Sequence, residues 1–422
     1  MSDLLTKEPS TKQQGATYAL DLCARIAACT ETPGSITRLF LSPSTHQVHA
    51  ILRAEMEQLG MAVRVDAAGN LRGVYAAATP DAPVLLIGSH VDTVPDAGAF
   101  DGVLGVTLPL AALRALDGRP LAYTVEVIAF SEEEGIRFRM PFIGSRAVAG
   151  TLGAAELARL DAEGMSVTDA LRDFGLDPAQ LADADLSRNT FAFVEVHIEQ
   201  GPVLEALDLP LGIVTAIVGQ TRLEVTFTGR ANHAGTTPMH LRQDALAAAA
   251  AWISVVERHA SNVTELVATV GSIRVSPGAA NVIPGSAVLS LDVRHAIDAM
   301  REQAVAELLA EAKRVASVRG VVVSAKETSR QDAVVMDEGI CGRLAEAVEA
   351  VGASPHRMTS GAGHDAMILA AKVPAATLFV RTPAGLSHHP DEAVAEADVQ
   401  TAFEALLHLL ERLEPATQEA VR

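Results

Sequence analysis

Cysteine is scarce in this chain. Three residues in 422, Cys23, Cys29 and Cys341, form neither a metal-type pair nor a disulfide framework. That fits a reducing cytoplasm. Long apolar runs are missing as well. No stretch reaches the roughly eighteen uninterrupted apolar residues of a membrane-spanning helix, so no membrane association is expected. The opening segment MSDLLTKEPSTKQQGATYAL has no basic head followed by an apolar block, so it does not read as a signal peptide. Positive charge is in deficit: 33 Lys and Arg stand against 52 Asp and Glu, a net charge of -19. Nucleic acid wants a basic surface, which argues against such a partner. The acidic excess promotes solubility and says little about a small substrate, because charge at a site can differ from the total. No repeat with a period of roughly 20–50 residues is evident.

What is present is an α/β pattern. The apolar fraction of 49% is enough for a substantial core, and the length suggests two or three units. In the first half, strands at 84–88, 123–130 and 191–196 alternate with helix-like stretches such as 103–116. Such alternation predicts a mostly parallel sheet covered on both faces. Ligands gather at the carboxyl ends of the strands in such sheets. After Gly219 the pattern changes. Strand 222–228, helix 244–259, strands 266–275 and 287–293, helix 300–318 and strand 321–325 follow one another. The order β-α-β-β-α-β is that of a ferredoxin-like unit. The α/β pattern resumes with a helix from about Asp337, a strand near 376–380 and a closing helix from about Ala397. These features predict a discontinuous domain, residues 1–214 with 331–422, and an inserted lid, residues 215–330.

Metal-capable residues cluster at the predicted strand ends. "LLIGSHVDTV" places His90 past one strand, with Asp92 two residues on. "FDGVLG" places Asp101 at a helix start. "SEEEG" places Glu132, Glu133 and Glu134 past the next strand. "VEVHIEQG" places His197 at the end of another, and "GLSHHPDE" puts His388 and His389 after the last. Imidazole and carboxylate are zinc ligands. Two ions about 3.5–4 Å apart need a bridging carboxylate. A further carboxylate beside the attacking water is needed as general base. Adjacent glutamates can divide that labour, one binding metal and its neighbour taking a proton. Singly, each signal has a bland alternative: the acidic triplet can be a solvated turn, Asp101 an N-cap, the tandem histidines exposed.

These ordered motifs, with GRANHAGTTPM, NVIPG, LDVRH and SGAGHDAM, resemble the zinc amidohydrolases that cleave ureido compounds. That group comprises N-carbamoyl-L-amino acid hydrolase, β-ureidopropionase and allantoate amidohydrolase, within the aminoacylase and carboxypeptidase G type metallopeptidases. The resemblance runs from about Ala16 to Leu413. It implies that Asp101 bridges two metal ions, with His90 and His197 completing one and Glu134 and His388 the other. Glu133 would be the general base, Glu132 would stand outside the ligand set, and Asp92 would orient His90. Zinc is the first expectation for the two divalent ions, with manganese, cobalt and nickel as alternatives. His197 points to the ureido-cleaving branch, since peptidase and aminoacylase relatives usually carry an acid there.

A carboxylate-bearing substrate needs a cation on a rigid support. Arg294, at the end of a predicted lid strand, can grip a carboxylate bidentately, or can pair with a surface acid. The resemblance makes Gln200, His233, Asn281 and Arg294 substrate contacts. It supplies His233 from the partner subunit of a homodimer joined through the lid, where it would stabilise the oxyanion. Gly363 and His364 would line the pocket. The expected activity is N-carbamoyl-L-amino acid hydrolysis. Allantoate amidohydrolase is the alternative, followed by β-ureidopropionase and by an aminoacylase or dipeptidase. A non-enzymatic binding protein on the same scaffold is disfavoured by the intact ligands and glutamate pair.

Overall fold

The computed structural model describes residues 14–415. The chain divides into two compact units, a larger one interrupted between Thr215 and Met336 and a smaller one, Ala216–Val335.

The larger unit is built on a mixed sheet. Its centre is four parallel strands in the spatial order Thr124–Phe130, Val84–His90, Thr190–Ile198 and Ala375–Val380. These strands are buried along nearly their whole length. That requires cover on both faces and explains their continuous apolar runs. Antiparallel strands flank this centre. Leu71–Tyr75 and then Ala62–Val65 lie beyond Thr124–Phe130, and Leu211–Ile217 lies beyond Ala375–Val380. The parallel pairs occupy the middle of the sheet, where helical crossovers make them possible. At one edge Ala62–Val65 and Leu71–Tyr75 are joined by a short turn, which antiparallel pairing allows.

One helix carries much of the core. Val103–Ala115 packs on the Val84–His90 strand and is covered by helices Gly15–Ala27 and Glu396–Arg412. It is buried on every side except at Arg114. A helix apolar all round belongs inside a protein rather than on its surface. Sealing Leu104, Leu108, Leu110 and Leu113 stabilises the unit by about 1.5–3 kcal/mol each relative to exposure.

The smaller unit follows the order strand Gly219–Thr228, helix Ala245–Ser261, short strands Val267–Thr269 and Ile273–Ser276, strand Ser286–His295, helix Asp298–Val318, strand Val322–Gln331. Its antiparallel sheet has the spatial order Ile273–Ser276, Ser286–His295, Gly219–Thr228, Val322–Gln331. Gly219–Thr228 and Ser286–His295 alternate buried and accessible residues, so one face meets the two helices. The core centres on Trp252, whose indole N–H donates to Leu308 O at 2.8 Å. The strand predicted over 266–275 is two pieces, interrupted at Val270–Ser272. No helix among the described residues is long and apolar enough to cross a membrane.

Candidate metal centre

Parallel neighbours end at the same level, and this brings the chemistry together. His90 closes its strand opposite Phe130 of the adjacent one, so the turn from Ser131 to Glu134 emerges beside it. His197 sits near the end of the strand on the other side. Asp101 lies on the connection into the Val103–Ala115 helix. Gly102 adopts φ +67°, and any Cβ there would stand 2.5–2.6 Å from the His90 ring. Only glycine lets the backbone pass so close to that imidazole.

Asp101 is the centre of the arrangement. Its Oδ1 lies 3.3 Å from His90 Nε2 and 3.2 Å from His197 Nε2. Its Oδ2 lies 3.3 Å from His388 Nε2, which is itself 3.4 Å from Glu134 Oε1. One carboxylate thus faces two ligand pairs. His90 with Asp101 and His197 forms one donor group, and Asp101 with Glu134 and His388 another. Asp101 Oδ1 is buried without a well-formed hydrogen bond among the described residues. Divalent cations suit this set of neutral imidazoles and carboxylates. His389 points elsewhere, its Nδ1 accepting the Asp391 N–H at 3.1 Å.

The acidic triplet is organised from outside itself. Asp92 Oδ1 accepts the Glu133 N–H at 2.9 Å, and Asp92 Oδ2 accepts the Glu134 N–H at 3.1 Å. The same carboxylate stands 3.4 Å from His90 Nδ1, which also faces the Asp92 carbonyl at 3.1 Å. Asp92 therefore holds the glutamate turn as well as His90. Glu133 completes a third donor group with His90 and Glu134, whereas Glu132 belongs to none.

The electrostatics are those of a dehydrated acidic cluster. Burial pushes the Glu133 carboxyl well up, with Glu134 adding to the effect and His90 opposing it. Burial and then Asp101 push Glu134 up to about 7. Burial, then Asp92 and Glu134, push Glu132 well up. Burial alone would raise Asp101 too, but the three surrounding histidines hold it well below the usual carboxylate range. Contact with Asp101 raises His388 to about 9, aided by Glu134. Positive charge placed here relieves the carboxylates, as a metal ion does.

Sequence reasoning passed over several groups at this site. Gln200, expected as a substrate contact, donates from Nε2 to Asp101 Oδ2 at 2.7 Å, and the groups around it were not expected. Ser387 Oγ approaches the same oxygen at 2.9 Å, and Glu392 accepts the backbone N–H of Phe100 and Asp101 at 2.9 and 3.1 Å. Glu195, fully buried, accepts from Ser89 Oγ at 2.7 Å and from the Ala366 N–H at 2.9 Å. The signal available in sequence was position: Ser387 and Glu392 bracket His388 in GLSHHPDE. His364 is buried, with its ring 4.5 Å from His197 and its Nε2 2.8 Å from Ser360 Oγ. A Cβ on the preceding Gly363 would meet the Phe142 ring at 2.8 Å.

The remaining expected contacts belong to the smaller unit. His233 and Val282 are paired across a short two-stranded ladder, and Asn281 O accepts the Ala234 N–H at 2.9 Å. His233 Nδ1 accepts the N–H groups of Gly235 and Thr236 at 3.0 and 3.2 Å. With Nδ1 an acceptor, the neutral ring carries its proton on Nε2, ready to donate. Arg294 is engaged bidentately by Asp292, at 2.9 and 3.1 Å. Asp292 also accepts from Arg222 Nε at 2.9 Å.

A sequence model of peptidase family M20/M25/M40 matches residues 86–412. The chain is 39% identical over 383 residues to an N-carbamoyl-L-amino acid amidohydrolase of Geobacillus stearothermophilus, covering 90% of this chain and 94% of that one. It is 36% identical over 388 residues to the allantoate amidohydrolase of Bacillus subtilis, covering 90% and 93%. Among solved structures, a hydantoinase/carbamoylase family amidase from Burkholderia multivorans superposes with a TM-score of 0.88 at 32% identity, covering 94% of this chain and 97% of that one.

Proposed function

The chain belongs to peptidase family M20/M25/M40, and on that premise we propose an amidohydrolase that cleaves the C–N bond of an N-carbamoyl-L-amino acid. The observation that supports this most is the Asp101 carboxylate, with one oxygen toward His90 and His197 and the other toward His388 beside Glu134. His90, His197 and Asp101 would hold one divalent ion, and Asp101, Glu134 and His388 the second. Zinc leads, with manganese, cobalt and nickel able to use the same donors. Such ions, when bound, polarise a carbonyl and acidify water.

The chain's own groups supply the rest. Asp92 holds the Glu133–Glu134 turn so that Glu133 faces the centre. Glu133 takes a proton from the attacking water and returns it to the departing nitrogen. Its raised proton affinity suits a group that must both accept and release. His233, contributed by a partner subunit, donates its Nε2 proton to the developing oxyanion. Arg294 and Asn281 bind the substrate carboxylate, and Gln200 the ureido group. The smaller unit acts as a ferredoxin-like lid and dimerisation domain whose closure excludes water. The three buried free thiols suit a reducing cytoplasm.

Allantoate, a diureido acid, is the second substrate to test, given the Bacillus subtilis relative. The deciding experiment loads the protein with each divalent ion in turn. Turnover is then measured on N-carbamoyl-α-amino acids, N-carbamoyl-β-alanine, allantoate, N-acetyl amino acids and dipeptides. Glu133→Gln is expected to keep its metal and lose turnover. Near-normal rates in that variant would remove Glu133 as the base.

A further inference from the structure

Glu392 performs a task that no other described residue at the centre duplicates. It is 6% exposed and lies 291 residues from the carboxylate it serves. Its Oε1 accepts the backbone N–H of Phe100 at 2.9 Å and of Asp101 at 3.1 Å. Its Oε2 lies 3.1 Å from Ser387 Oγ, and that hydroxyl lies 2.9 Å from Asp101 Oδ2. The approach is tight. A Cβ on Gly98 would stand 2.3–2.5 Å from the Glu392 side chain, so glycine at 98 is what admits the carboxylate beneath the chain.

Two consequences follow from donor counting. The peptide groups leading into Asp101 are fixed by a single acceptor oxygen. Ser387 has one proton for two carboxylate oxygens, so it bonds Asp101 or Glu392, not both. A cation at Asp101 Oδ2 withdraws electron density there, and the Ser387 proton then has a waiting acceptor in Glu392. Glu392 thus holds Asp101 with an oxygen toward each ligand pair. Through Ser387 it also lets Oδ2 change partners without leaving a buried acceptor bare.

We propose that Glu392 is the positioning residue for Asp101, and that it governs uptake of the ion on the Glu134–His388 side. The inference rests on the two-ion assignment above. It needs an acceptor at 392, not a charge. In Glu392→Gln the amide oxygen can take both backbone N–H groups, while the amide NH2 donates to Ser387 Oγ and sends the Ser387 proton to Asp101.

The test is metal titration of the full-length protein, with Co2+ absorbance and atomic analysis of bound metal read beside kcat and KM. Wild type should take up two ions. Glu392→Ala should bind the first ion within about threefold of wild type. Its second ion should bind about 10–100-fold more weakly, the usual cost of losing an outer partner of a ligand. Glu392→Gln keeps the acceptor for the two backbone N–H groups and loses the one for the Ser387 proton, so its second ion should bind more tightly than in Glu392→Ala and more weakly than in wild type. A merely structural role would lower thermal stability and shift both affinities together. Equal loss of both ions, unaltered binding in Glu392→Ala, or a Gln variant as poor as the Ala variant each overturns the proposal. If Glu392→Ala does not fold, Ser387→Ala decides: selective weakening of the second ion supports the inference, and unaltered binding overturns it. A wild type that takes up fewer than two ions sinks the two-ion assignment and this inference with it. A two-ion wild type with unaffected variants sinks this inference alone.

Discussion

Gly102→Ala tests the centre with a single methyl group. The added Cβ would lie 2.5 Å from His90 Cε1 and 2.6 Å from Cδ2 and Cγ. Carbon atoms in contact rest at about 3.5–4.0 Å. The ring must therefore retreat by about 1 Å, or the backbone must turn. Turning is resisted as well, because alanine at φ +67° and ψ -48° sits in a sparsely populated backbone region that costs about 1–3 kcal/mol. His90 Nε2 and Asp101 Oδ1 are 3.3 Å apart, and a 1 Å retreat takes the imidazole out of ligand geometry. A misplacement of about 1 Å at a reacting site can cost about 100-fold, or about 2.7 kcal/mol of barrier. The assay is kcat/KM on an N-carbamoyl amino acid with metal content measured in parallel. The ion on the His90–His197 side is expected to be lost first. A variant that keeps two tightly held ions and kcat/KM within about threefold of wild type would refute the claim that this glycine makes room for His90.

Other outcomes are expected. Chelation should abolish turnover and lower the melting temperature, and added zinc, manganese, cobalt or nickel should restore both; full activity in metal-free protein would rule out a metal centre. His49, buried on the Pro43–Gln58 helix, is lowered from 6.5 to about 4 by burial, with His46 and Arg53 adding to it. The unfolded chain takes this proton near pH 6.5 and the folded one resists until about 4, so stability falls as pH drops through that window. The ceiling is about 3 kcal/mol, from 6.5 to 4 at about 1.36 kcal/mol per unit. His49→Gln should flatten that limb in urea unfolding between pH 4 and 7, and an unchanged slope would contradict the assignment. Arg381 grips Asp398 at 2.7 and 2.8 Å and Asp208 at 2.9 Å, so Arg381→Ala should cost about 1–3 kcal/mol of stability with KM unchanged. A raised KM in that variant would show that Arg381 acts on substrate.

The ligand candidates were legible because each stands in a short motif at the end of an apolar strand, and parallel strands deliver their ends to one place. His90, Asp101, His197 and the triplet Glu132–Glu134 could be named as candidates on that basis, while the resemblance singled out Glu134 within the triplet. The choice of His388 over His389 came from the resemblance, since neighbouring residues in a loop share every local signal; His388 Nε2 lies 3.3 Å from Asp101, and His389 Nδ1 accepts the Asp391 N–H. The role of Glu392 was not legible beyond its place four residues after His388 in GLSHHPDE. Its partners are backbone N–H groups 291 and 292 residues away, which no local pattern encodes. For Arg294 the sequence left two readings open, a grip on a substrate carboxylate and a pairing with an acid, and Asp292 two residues earlier engages its fork. The antiparallel edges of the sheet were missed because Ala62–Val65 and Leu71–Tyr75 are short and carry arginines. Arg72 is nonetheless buried against Glu126, with bonds of 2.8 and 3.0 Å.

The Asp92 carboxylate reaches both the strand that ends at His90 and the turn that carries Glu133 and Glu134. Two segments some forty residues apart are thereby locked to a common reference point, so neither can be lengthened, shortened or re-angled alone. Any lineage that remodels this centre must recut both pieces in one move. Loop grafts intended to alter specificity should leave position 92 and the 132–134 turn as a unit inherited from the same parent.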